Sequence, residues 1–142
     1  MTPDGLERRE TSAQEIAALF GRYAVALADA GVAEQSADGR YIDAYTAGFL
    51  LAKIVVRASG YRVRGGENHR DTLSAVPWLM GSTAQRSVDV LDAARKQRNV
   101  DLYDGAGTVE DSDVRDLVSR VRTFESEVRA WLDARHPELR GE

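Results

Sequence analysis

The stretch VRDLVSRVRTFESEVRAWL, residues 114–132, sets Val114, Leu117, Val118, Val121, Phe124, Val128, Trp131 and Leu132 at intervals of three and four. Such spacing keeps side chains on one side of an α-helix, so this segment is a core helix that needs partners to cover its apolar face. His136 and Pro137 close it. Upstream, Gly105 and Gly107 mark a turn, and Thr108 with Asp111 has the spacing of a helix cap.

Working back, residues 82–99 predict a fourth helix on which Ala84, Val88, Leu91, Arg95 and Arg98 follow one another along one face. Two arginines therefore prolong an apolar stripe. Asn68 is placed to cap a short segment ending at Met80, and Pro77 inside it predicts either two successive turns or a kinked helix. Gly60 to Asn68 lacks apolar periodicity and reads as a mobile or partner-ordered loop around Gly65 and Gly66. A second helix follows Asp38 and ends before Gly60, its Ala44, Ala47, Gly48 and Ala52 allowing another helix to approach closely. The first helix begins at Ser12, which with Glu15 has capping-box spacing, presents Ile16, Leu19, Phe20, Tyr23 and Leu27, and stops at Gly31 in the left-handed conformation. No strand pattern survives against this reading. The expectation is all-α: an up-and-down bundle of four to five helices over residues 12–136, after a flexible segment 1–11 and before a polar tail 137–142.

With 142 residues and 43% hydrophobic side chains, one core is expected rather than two. The net charge of −4 excludes a wholly basic nucleic-acid binder. Charge is uneven, however: residues 57–98 carry eight basic and four acidic side chains, and residues 99–142 six and eleven. No cysteine is present, which removes thiol catalysis and thiolate metal sites, and the only histidines are His69 and His136. Carboxylate pairs such as Asp89 with Asp92, or Glu110 to Asp116, have helical spacing for metal ligands, but surface helices commonly carry such pairs for solubility, so no metal and no cofactor is expected. No apolar run approaches the ~20 residues of a membrane span, and residues 1–10 are too polar for a secretory signal, so the expected location is cytoplasmic and away from the membrane.

The chemistry is expected around Arg95, Arg98, Asn99, Asp101 and Tyr103. An arginine on an apolar face needs a carboxylate, carbonyl or phosphate partner. Either Arg95 and Arg98 brace the fold or an interface by pairing with Asp101, Asp104 or another chain, or they face a cleft and hold a phosphodiester. Lys96, Arg70 and Arg64 would add to such a cleft. His69 reads as a polar cap or surface residue, or as a proton carrier beside Arg70. His136 reads as solvated, and Trp78 and Trp131 as core residues.

Residues 95–104, with Tyr41–Tyr45 and Gly48 to Gly60 and with His69, resemble the HEPN domains, helical bundles found with nucleotidyltransferases and in RNA-directed defence and toxin–antitoxin systems. The resemblance spans roughly residues 12–135. It implies a homodimer with two copies of Arg98 across one cleft, RNA or nucleotide phosphates as ligand, and a nucleotidyltransferase partner. RNA-cutting members carry an arginine, a polar residue and, a few positions on, a histidine. Here Arg98 and Asn99 match, and Tyr103 stands where the histidine would be. Tyrosine titrates near 10, poorly suited to proton transfer at neutral pH, so cleavage through this motif is expected to be weak or absent unless folding brings His69 beside Arg98. The resemblance also makes Tyr103 a candidate for adenylate modification. A non-enzymatic interaction module is the alternative.

Overall fold

The computed structural model describes residues 5–65, 68–104 and 109–140, and of residues 99–104 the helical backbone alone. The described residues form a five-helix, mostly up-and-down bundle: α1 (Ala13–Ala30), α2 (Ala37–Ala58), α3 (His69–Met80), α4 (Gln85–Asp104) and α5 (Asp111–Arg135). Short 3₁₀ turns at Ser82–Ala84 and Pro137–Leu139 precede α4 and follow α5.

The helix starts follow from side chains that satisfy otherwise orphaned backbone N–H groups. Ser12, Ser36 and Asn68 accept from the backbone N–H of Glu15, Gly39 and Asp71, each at 3.1 Å. Three local expectations change. Glu15 does not complete the capping box, because its carboxylate is engaged by Arg57 and by the Thr11 hydroxyl. Gly31 closes α1 with φ −93°, not in the left-handed region. The cap of α5 is Glu110 paired reciprocally with Asp113, whereas Thr108 lies outside the described residues. Pro77 is accommodated within α3, which continues through it.

The bundle is organised around α2. From Ala44 to Ala58 nearly every residue is buried, with Thr46 and Lys53 the half-buried exceptions, and α1, α3, α4 and α5 all pack on it. A helix apolar on all sides can be stable only when enclosed, and the small residues let its neighbours come close. At Gly48 a side-chain Cβ would collide with Leu91 of α4 and lie 3.2 Å from Val121 of α5. Both neighbours are fully buried. Gly48→Ala is therefore expected to destabilise the fold by about 1–3 kcal/mol, as overpacking of a filled core does. Gly21→Ala, mid-helix with nothing within 4 Å of the added carbon, should instead stabilise it by roughly 0.5–1 kcal/mol. Urea denaturation of the two variants gives the comparison, and equal effects would contradict it.

A strand ribbon, absent from the sequence reading, also forms. β1 (Leu6–Arg8) and β2 (Tyr61–Val63) pair antiparallel, with Leu6 opposite Val63, Glu7 opposite Arg62 and Arg8 opposite Tyr61. Residues 6–8 thus belong to the fold rather than to a free N-terminal segment, and the first part of the glycine loop is ordered as a strand. The reason is a contact distant in sequence: Leu6 is buried with Val56 of α2 and Ala75 of α3. Trp78 also departs from its expected core position. It is 46% exposed and lies edge-on to Tyr61 of the ribbon at 6.0 Å, while Trp131 is buried at 9% exposure. His136, expected to be solvated, is half-buried with its ring edge-on to Trp131 at 5.0 Å.

Candidate functional site

A twelve-residue α3 rises about 18 Å, at 1.5 Å per residue. The chain then reverses through Gly81 and the 3₁₀ turn, and α4 packs back along α3. About twelve residues into α4 it draws level again with the start of α3. Arg95 and Arg98 stand there. They line, with Arg64, Gly65, Asn68, His69 and Arg70, an open hollow of about 430 Å³. Five separately selected side chains, Arg64, His69, Arg70, Arg95 and Arg98, thus meet in one place, at the N-terminus of α3 where the helix dipole also favours an anion. Among the described residues, no aspartate or glutamate lines the hollow.

The arginines differ in how they are held. Arg95 donates from Nε to Asp92 at 3.1 Å, a pair one helical turn apart. Burial pushes the Asp92 carboxyl up, but Arg95 and then Lys96 outweigh it and leave the group below the usual carboxylate range. Arg70 and Arg64 are exposed, with Nε 3.8 Å from Asp71 and 4.0 Å from Glu7, respectively. Arg98 is half-buried and forms no ion pair among the described residues. Its Cζ lies 5.9 Å from the centre of the Tyr45 ring, within reach of a cation–π interaction. Lys96 is exposed, 3.5 Å from Asp92, and is not part of the lining. The side chains of Asn99, Asp101, Tyr103 and Asp104 lie outside the described residues.

Behind the hollow, Tyr45 and Phe49 project from successive turns of α2. Tyr45 is fully buried, and its hydroxyl lies 2.7 Å from His69 Nδ1. The imidazole stacks on Phe49 with centroids 3.9 Å apart and planes 9° from parallel. His69 is thus a fixed, half-buried ring, not a cap or a surface residue; the capping is done by Asn68. Burial pushes the Tyr45 hydroxyl well above the normal tyrosine range, against the opposing pull of Arg98 and Arg95. The phenol therefore keeps its proton at neutral pH. It can donate to Nδ1 of the neutral ring or accept from Nδ1–H of the charged one, so it supports both states of His69. The sequence reading passed over Tyr45 as a site residue. Its signal was an aromatic pair at positions i and i+4 in a helix otherwise rich in small residues.

The arginine that does serve as an internal brace is Arg57. At 5% exposure, its Nε and Nη2 donate to both oxygens of Glu15 at 3.0 and 2.8 Å, Nη1 donates to the carbonyls of Arg9 and Tyr61, and Nη2 donates also to that of Glu10. All five N–H groups are engaged, tying together α1, α2, β2 and the segment after β1. The Arg57 guanidinium holds the Glu15 carboxyl down to about 2.

No family model, curated protein or solved structure matches the chain. Among the described residues no helix is long and apolar enough to cross a membrane.

Proposed function

We propose that this protein binds RNA or nucleotide phosphates in the hollow lined by Arg64, Arg70, Arg95 and Arg98, as a HEPN-like component of a toxin–antitoxin or defence system. The observation that carries the reading is the gathering of four guanidinium groups in a concavity whose lining, among the described residues, holds no carboxylate. Guanidinium forks match phosphate oxygens in pairs, and a helix N-terminus adds backbone polarity of the same sign. The resemblance of residues 95–104 to the HEPN motif supports the biological setting, including a nucleotidyltransferase partner and a homodimer that would set two Arg98 residues across one cleft.

Binding of a single-stranded RNA should weaken steeply with salt, because each neutralised phosphate releases counterions. Arg98→Ala is expected to lower affinity roughly tenfold and to reduce the magnitude of the slope of log K against log salt by about 0.7 to 1, in line with one lost charge-assisted contact. Fluorescence anisotropy across a salt series measures both. Salt-independent binding, or none, would instead favour the interaction module, with the arginines meeting acidic groups of another protein.

One placement favours a second reading, in which the RNA is also cut. His69 shares the hollow with Arg98 and is oriented by Tyr45. An imidazole there can take the proton of a 2′-hydroxyl as its oxygen attacks the adjacent phosphorus, or protonate the 5′-oxygen as the P–O5′ bond breaks. The products are a 2′,3′-cyclic phosphate and a free 5′-hydroxyl. Arginines beside the phosphate stabilise the charge that builds on its oxygens. In this reading His69 supplies the group that Tyr103 cannot.

A further inference from the structure

A second hollow, of about 480 Å³, adjoins the basic one: Gly65 lines both, and the Phe49–His69 stack gives one ring to each. We infer that this second hollow receives the base of a nucleotide whose phosphate lies in the first, so that the ligand class is a nucleotide unit rather than a bare phosphate. The inference rests on the phosphate-binding reading and adds a subsite to it.

The two linings differ in kind. Among the described residues the basic hollow is lined by four arginines with no acid and no aliphatic side chain, whereas the second joins Glu15 and four basic side chains, Arg9, Lys53, Arg57 and Arg62, to an apolar wall. Arg57 has all five donors engaged, and Arg62 is paired with Glu7 across the ribbon. The apolar part of the wall is Phe49, Val56 and Val63, a surface suited to a flat ring. Its volume falls within the range of small-molecule sites, and a ligand needs both parts: an apolar face for the ring and a charged end for the phosphate. The ribbon contributes to the apolar face, since β2, paired with β1, carries Val63 to the wall beside Val56.

Calorimetric titration of the full chain with inorganic pyrophosphate and with uridine and adenosine 5′-diphosphates separates the two claims. The nucleoside diphosphates are expected to bind roughly tenfold more tightly than pyrophosphate, the gain that base stacking gives. Val63→Trp, which fills the hollow without altering charge, should abolish that gain and leave pyrophosphate affinity unchanged; Arg98→Ala should weaken all three ligands. Equal affinity for pyrophosphate and the nucleoside diphosphates in the unsubstituted protein would overturn the subsite and leave phosphate binding standing. Failure of all three to bind would overturn both. The unsubstituted comparison decides the question even if the tryptophan variant does not fold.

Discussion

Arg57→Met is expected to cost about 3 kcal/mol of folding stability, the low end of what breaking a buried ion pair costs. The low end applies because Glu15 is partly exposed and regains water when its partner goes, whereas the carbonyls of Arg9, Glu10 and Tyr61 lose their donors. The midpoint of thermal unfolding should fall by roughly 10 °C for a chain of this size. Arg57→Lys should rescue little, since one ammonium cannot replace a planar fork engaged at five points. The same pair makes stability depend on pH. Glu15 has a folded-state value of about 2 against an ordinary 4.5. Its contribution is complete above about pH 4.5 and is lost as pH falls toward 2, since the unfolded chain then binds the proton more readily. Arg57→Met should flatten that part of the acid profile. Urea titrations at pH 7, 4 and 2.5 measure both effects, and parallel profiles for the two proteins would contradict the assignment.

His69→Ala is the variant with the largest expected effect on chemistry. If the hollow cuts RNA as in the second reading, cleavage should fall by roughly 10²–10⁴-fold, the range of a lost general acid or base, while salt-dependent binding persists. Tyr45→Phe keeps the stacked rings but removes the hydroxyl from Nδ1. It should move the pH dependence of cleavage more than it lowers affinity, which a purely structural tyrosine would not do. Analysis of labelled RNA for 2′,3′-cyclic ends, with metal chelated, reads out the reaction. Undiminished cleavage by His69→Ala would remove the histidine from the mechanism. Binding without cleavage in the unsubstituted protein would leave a phosphate-binding module with a buttressed histidine.

The helices were legible because their signals are local. Apolar spacing marked α5, and Ser12 and Asn68 marked starts that a single side-chain oxygen defines. The close approach at Gly48 was also readable from the run of small residues around it. The ribbon was not, because three-residue strands have too little pattern and Leu6 is buried by Val56 and Ala75, far along the chain. Trp78 shows the same limit: it sits at helical spacing on α3, yet it stands exposed, edge-on to Tyr61 of the ribbon.

By itself, the sequence determined a helical bundle and concentrated cationic residues between positions 57 and 98. Tertiary structure decided what each cation does. Arg57 and Glu15 lie 42 positions apart and pair with Arg57 buried and all its donors engaged, whereas Arg98, on an equally apolar-looking face, opens toward a hollow beside His69. Periodicity states which side of a helix faces inward, but the partner of a guanidinium is set by where the turns between helices return the chain. Here the reversal between α3 and α4 brings Arg95 and Arg98 back to the cap of α3.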